Sequence, residues 1–348
     1  MEKKSFLKDK DKRVLKLIVE SYLREGKAIS SGTVVQRSDI SVSSATIRNI
    51  MVKLENEGLL SQAHTSAGRI PTDRGLRLYV NSLLEEALIP SEKLNLPSND
   101  FQVEKGDFNS LFVHASKVLA DYSDNLGFVI SPRLTNINFS HLRLIKISEE
   151  KILIILVSTF NLPLTEVIKT KTYFTQIELD RASRYINENF RGKNLSVVRD
   201  YLLKEIPKYR MRFENIVNKL LSLLKTYFCQ EEEEDQIFLQ GASKLLEKPE
   251  LYDMERLKSL FKNFEEKARL AKLLSDFISL DRVKVLIGSE LNPLDISECS
   301  LILSHYGYER QILGSLGIIG PKRIPYKKII PLVDCVAMRL SHTISFNG

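Results

Sequence analysis

The chain is expected to be a multidomain α+β protein whose amino-terminal quarter is a winged helix-turn-helix. Three observations predict this. The 348 residues, 43% of them hydrophobic, exceed what one core needs at roughly 100–200 residues per domain. Helical periodicity fills the first quarter and ends in a short strand with a polar loop. After a Pro/Ser/Asn-rich stretch, strand-like runs and helical runs come in blocks rather than in strict alternation, which favours α+β over α/β.

The elements follow in order. From Asp9 to Glu25 the apolar positions Val14, Leu17, Ile18 and Tyr22 share one helical face, and Gly26 suits the C-terminal cap. A second helix is expected over Ser31–Arg37, then a turn at residues 38–41. Ser43 is a good N-cap for a third helix that runs to about Glu57, where Gly58 stops it. Leu59-Leu60 opens a short strand, and Ser61 to Thr72 is a polar loop holding Gly68 and Pro71. Asp73–Glu86 is helical, with Leu76, Tyr79, Val80 and Leu83 on one side.

Pro90 and Pro97, among Ser91, Asn95, Ser98, Asn99 and Asp100, mark a linker. Beyond it, Leu111–Tyr122 reads as helix, followed by strands at Leu126–Ser131, His141–Ser148, Ile152–Ser158 and Val167–Tyr173. Helices are expected at Glu178–Phe190, Leu195–Glu205 and Arg212–Phe228. The acidic run Glu231–Asp235 reads as a solvated break. Then come a short strand at Ile237–Leu239, a helix over Asp253–Ile278, strands at Val283–Gly288, Ser300–His305 and Leu313–Ile319, and a closing helix from Tyr326. The segment from about 140 to 230 looks inserted. Pattern alone leaves open whether its strands belong to the parent sheet.

The net charge of +7 is unevenly distributed. Residues 1–80 hold 15 Lys/Arg against 9 Asp/Glu, and the remaining residues 36 against 35, so nearly all the positive excess lies in the first quarter. That excess suits a polyanionic partner. The longest aliphatic run, Ile152 to Val157, is far short of the roughly 18–20 residues of a membrane span. With no apolar stretch behind the first charges and no CxxC spacing among Cys229, Cys299 and Cys335, a cytoplasmic chain without membrane contact is expected.

The third helix carries the functional signal. Ile47, Ile50, Met51 and Leu54 form one face; Ala45, Asn49 and Val52 form the other, flanked by Thr46, Arg48 and Lys53. Small residues at Ser43, Ser44 and Ala45 permit close approach to a major groove. There an amide can pair with adenine, and a guanidinium or ammonium can reach guanine or phosphate. In the preceding helix Thr33 and Arg37 are further candidates. The loop after the strand can serve as a wing, with His64, Thr65, Ser66 and Arg69 facing phosphates or the minor groove.

Three stretches here, Ala45-Thr-Ile-Arg-Asn49, Leu54-Glu-x-Glu-Gly-Leu-Leu60 and His64-Thr-Ser-Ala-Gly-Arg-Ile-Pro-Thr-Asp73, resemble the winged-helix domain of the HrcA heat-inducible transcription repressors. Ile287-Gly-Ser-Glu290, Gly314-x-Leu-Gly-Ile-Ile-Gly-Pro321 and Ile330-Pro-Leu-Val-Asp334 resemble the same family's carboxy-terminal part. The resemblance implies a winged-helix DNA-binding domain at 1–89, a linker at 90–104, a GAF-like domain at 105–139 and 231–348, and an inserted dimerising domain at 140–230. It also implies a homodimer on double-stranded DNA, at an inverted-repeat operator of the CIRCE type. The regulated genes would be chaperone genes of the groE and dnaK operons, and the GroEL chaperonin would modulate activity. The alternative reading is a regulator that senses a small ligand through the GAF-like domain. Ser44 stands where proline is usual in the family, Gly32 where a basic residue is common, and Ile50 where an acid is common.

Other chemistry finds little footing. His114, His141, His305 and His342 show no ligand spacing, so no metal site is expected. Gly314, Gly317 and Gly320 precede Pro321-Lys322-Arg323 rather than Gly-Lys-Ser/Thr, so they read as close-packing or bulge glycines of a strand, not a phosphate loop. The cysteines read as buried hydrophobes. No nucleophile and base pair up, so neither enzyme activity nor a cofactor is expected.

Overall fold

The computed structural model describes residues 7–38, 43–62, 68–86, 108–132, 137–159, 163–170, 173–198, 201, 237–248, 282–294, 296–308 and 311–347. The expected turn at 39–41, the wing tip, the linker at 90–104, the helices Arg212–Phe228 and Asp253–Ile278, the acidic run and Cys229 lie outside them. So does most of the expected helix Leu195–Glu205, of which 195–198 are helical.

The chain begins with three helices, α1 (Asp9–Glu25), α2 (Ser31–Arg37) and α3 (Ser44–Asn56). Gly26 caps α1 in the left-handed region and donates its N–H to the Tyr22 carbonyl. The periodicity of α1 and α3 puts Val14, Ile18, Ile47 and Leu54 fully inside, with Val34 of α2 beside them. The stretch read as a loop after α3 is more regular than its composition suggests. It forms an antiparallel hairpin, β1 (Leu60–Gln62) and β2 (Arg69–Pro71), with Leu60 opposite Pro71 and Gln62 opposite Arg69. α4 (Asp73–Glu86) follows and buries Leu76, Tyr79, Val80 and Leu83.

The body is α+β. A five-stranded sheet has the order β7-β3-β10-β9-β8, every neighbour antiparallel. These strands are β3 (Leu126–Ile130), β7 (Ile237–Gln240), β8 (Val283–Ile287), β9 (Cys299–Tyr308) and β10 (Gln311–Pro321). The helices α5 (Phe108–Ser123) and α8 (Tyr326–Asn347) pack on the sheet and on each other. The short α7 (Ala242–Leu246), which has no sequence signature, follows β7. All five residues of β3 are buried, as befits a strand with neighbours on both edges and covered faces. Gly127 lets α5 come close: a Cβ there would lie 2.3 Å from the Ser116 carbonyl oxygen. Gly314, Gly317 and Gly320 lie on β10, where a Cβ would meet the neighbouring strands or Asn125, and the register slips between Ile312 and Gly314. They are packing and bulge glycines of a strand. Cys299 and Cys335 are free and buried. Burial, with the charge of Glu298 behind it, pushes the Cys299 thiol up to about 12.

Between β3 and β7, which pair directly, the chain builds a separate three-stranded sheet, β4 (Phe139–Ser148), β5 (Lys151–Ser158) and β6 (Pro163–Lys169). Its order is β4-β5-β6, and α6 (Gln176–Phe190) packs on β4. The expected strand Val167–Tyr173 starts earlier, at Pro163, because β6 pairs residue for residue with β5 from Val157 back to Lys151. α6 opens on a capping box in which Thr175 and Glu178 bond reciprocally. The alternation on β5 buries Ile152, Ile154 and Leu156. The other face carries an apolar row along β5, flanked by the exposed His141, Arg143 and Thr165. Ile145, Leu153, Ile155 and Val157 are only half-buried there, and Val167 is exposed.

Candidate nucleic-acid interface

The site is built around the start of α3. Ser43 adopts an extended backbone, and its Oγ accepts the Thr46 N–H at 3.2 Å, with the Thr46 hydroxyl 3.0 Å away. That cap fixes where the helix begins. Ile47, Ile50, Met51 and Leu54 then all turn inward. Ser44, Ala45, Arg48, Asn49 and Val52 are left exposed, and Thr46 and Lys53 lie at the margin.

α2 is tied to the same end. Ser30 caps it by accepting the Thr33 N–H, with the Thr33 hydroxyl 3.0 Å from the Ser30 Oγ. The Ser31 and Ser44 hydroxyls meet at 3.0 Å across the gap between the two helices. Ser44 thus makes an inter-helix bond that proline, which would also suit the first helical position, has no group to make. Ser31 was not singled out from the sequence; only the neighbouring run of small hydroxyl residues hints at it.

The basic side chains divide into two sets. Arg48 has no hydrogen bond or ion pair among the described residues, nor does the Asn49 amide, and both lie on the open face. The others are engaged. Arg37 pairs with Glu25 at the end of α1. Lys53 bonds the nearly buried Asp11 of α1 at 2.7 Å, with Glu57 4.0 Å away. The hydrogen bond to Asp11 holds the Lys53 ammonium above the usual lysine range. Arg69 grips one carboxylate oxygen of Glu55 with two nitrogens, at 3.0 and 2.9 Å, and its backbone bridges Ile29. His64, Thr65 and Ser66 lie outside the described residues.

Arg69 is therefore placed as a strut between the hairpin and α3. A double-mutant cycle with Arg69→Ala and Glu55→Ala is expected to show a coupling of about 1 kcal/mol in unfolding free energy. A coupling near zero would leave the strut without energetic content. Neither Asp11 nor Glu55 was picked out beforehand, because a contact between different elements has no local sequence signature.

No described helix is long and apolar enough to cross a membrane. A family model described as HrcA protein C terminal domain matches residues 109–330. A heat-inducible transcription repressor HrcA of Syntrophobacter fumaroxidans is 33% identical over 345 residues, covering 99% of each chain. One of Geobacter sulfurreducens is 32% identical over 338 residues, covering 97% of this chain and 98% of its own. Among solved structures, one described only as a hypothetical protein at 2.2 Å resolution aligns with a TM-score of 0.64 and 24% identity. It covers 98% of this chain and 100% of its own, a likeness of fold. With the motifs, the matched family model and near full-length relatives in agreement, the chain belongs to the HrcA family.

Proposed function

We propose that this chain is a heat-inducible repressor of transcription that reads duplex DNA through α3. In this reading residues 1–89 are a winged helix. α3 lies in the major groove, and the β1–β2 hairpin carries the wing. In the first turn of α3 the Thr46 and Ile47 N–H groups are taken by Ser43, which leaves those of Ser44 and Ala45 for the groove edge, where a phosphate is favoured. Arg48 and Asn49 read base edges, Ser43, Ser44, Ala45 and Thr46 allow close approach, and Thr33 contacts the backbone. Lys53, Arg37 and Arg69 hold the module's shape. The observation that carries the reading is the split of α3 into a fully buried face and a face whose Arg48 and Asn49 have no partner among the described residues.

One such module is weakly specific, so the operator is an inverted repeat of CIRCE type read by a homodimer. The three-stranded sheet supplies the pairing surface. Six consecutive aliphatic residues, Ile152 to Val157, suit a strand covered on both faces. We assign the second cover, over Leu153, Ile155 and Val157, to the other subunit. The regulated genes are the chaperone operons groE and dnaK, and the GroEL chaperonin raises the fraction of active dimer. Residues 105–139 and 231–348 form the GAF-like part that joins the two modules.

The test is a footprint of the purified protein upstream of its own gene and of the chaperonin operon. A protected two-fold-symmetric element is expected. Ile155→Lys is expected to give a folded monomer by light scattering and to lose the footprint. Protection without symmetry, or a dimer indifferent to Ile155→Lys, would overturn the corresponding half of the reading.

A further inference from the structure

The DNA-reading module is not merely tethered to the body. Two polar anchors, one helical turn apart on α4, hold it there. At the start of α4, the Asp73 carboxylate accepts the Ser289 N–H at 3.0 Å and the Lys322 ammonium at 3.1 Å. Lys322 also lies 3.4 Å from Glu298. Four residues on, Arg77 forms a forked pair with Glu290 and donates to the Val285 carbonyl at 2.7 Å. Glu290 in turn accepts the Ile287 N–H at 2.9 Å, which fixes its own carboxylate. Gly288 has φ +56, and a Cβ there would lie 2.1 Å from Asp73 Oδ2, so the close approach needs glycine. Beneath Lys322, the buried Tyr326 hydroxyl donates to the Lys322 carbonyl and meets Ser300 Oγ at 2.6 Å. Burial lowers the proton affinity of Lys322, but the bond and charge of Asp73, with Glu298 behind, leave it above the ordinary lysine value.

These pairs are partly exposed, between 25% and 36% for Arg77, Glu290, Asp73 and Lys322, so each adds little stability. Their geometry does more. One anchor would let α4 pivot; two anchors along its axis fix the direction of the helix, and the planar guanidinium fork fixes its rotation. Covalent linkage alone would not do so, since α4 ends at Glu86 and α5 begins only at Phe108.

We propose that the Asp73–Lys322 and Arg77–Glu290 anchors are positioning residues that set which spacing of operator half-sites the dimer accepts. The inference rests on the DNA-reading function proposed above. In a symmetric pair, the distance and angle between the two α3 helices follow from how each module sits on its body. Each base pair inserted between half-sites moves them by roughly 3.4 Å and turns them by about 34–36°. Only a module of fixed orientation discriminates at that step.

The experiment measures binding of the full-length protein, by fluorescence anisotropy, to duplexes carrying the same two half-sites. The spacers run from two base pairs fewer to two more than the preferred length, and a single half-site duplex serves as reference. The unmodified protein is expected to prefer one spacer by about tenfold or more over its neighbours. Arg77→Ala, and separately Asp73→Asn, are expected to cut that preference to about threefold or less, with single half-site affinity unchanged. The single half-site duplex is the control, since a merely destabilised protein would lose affinity there as well. Asp73→Asn keeps the side-chain shape, so it remains informative if the alanine variant fails to fold. Folded variants that retain the full spacing preference would overturn the inference and leave the function intact. An unmodified protein with no preference for paired half-sites over one would remove the dimeric reading of the operator on which the inference rests.

Discussion

Alanine at Arg48 or Asn49 is expected to weaken specific operator binding by about 1–3 kcal/mol each, roughly 5–150-fold, while leaving binding to unrelated duplex nearly unchanged. Both side chains lie on the exposed face of α3, and neither has a partner among the described residues to replace. Their removal therefore costs the fold almost nothing, and the loss reports base contacts alone. Titration of each variant against the operator and against a scrambled duplex at the same salt concentration checks this. An equal loss on both duplexes would mean that these groups meet phosphates rather than bases. No loss on either would remove α3 from the groove.

The second large effect is on stability. Leu54 is fully buried and sits with Val14, Ile18 and Ile47 in the helical core of the first module. Leu54→Ala is expected to cost about 2–5 kcal/mol, the lost transfer of the side chain plus the cavity it leaves. The chain has more than one module, so a single unfolding midpoint is a poor readout. Amide hydrogen exchange along α1 and α3 resolves the effect locally, with an expected acceleration of about thirtyfold or more in those helices and little change in the body sheet. Operator binding should fall with it, because the open face of α3 exists only while its other face is packed. Unchanged exchange in α3 would show that the helix is held by something other than this core.

Much of the first module was legible in the sequence. α1, α2 and α4 have the limits expected from their periodicity and caps, and α3 begins one residue after its cap, Ser43. Local signals set these features, so local reading recovers them. The errors lie where partners decide. β6 begins at Pro163 rather than Val167 because pairing with β5 fixes its register, and an edge strand tolerates a proline at its first position. Tyr173, read as strand, instead lies under the Lys146 ammonium, 4.1 Å from ring centre to nitrogen. The candidate site divides in the same way. Its exposed face could be drawn on a helical wheel. The engagement of Lys53 by Asp11, Arg69 by Glu55 and Arg77 by Glu290 could not, since each joins different elements.

The strand order of the body has a consequence for synthesis. β3 is the first body strand to leave the ribosome, yet it sits between two later ones. Gly127 pairs with Gln240 on one edge and Ile318 on the other. The second partner follows roughly 190 residues later, some 10–40 s at about 5–20 residues per second. Until Gln240 emerges neither edge of Leu126–Ile130 can close, and from then until Ile318 emerges one edge stays open. Meanwhile the amino-terminal module, closed by short-range contacts, is free to fold first. Each newly made molecule thus passes through a stage in which the amino-terminal helices are packed while an apolar ribbon still awaits a neighbour. An open apolar edge of that kind is prone to aggregation, so the yield of folded body depends on how soon β10 follows.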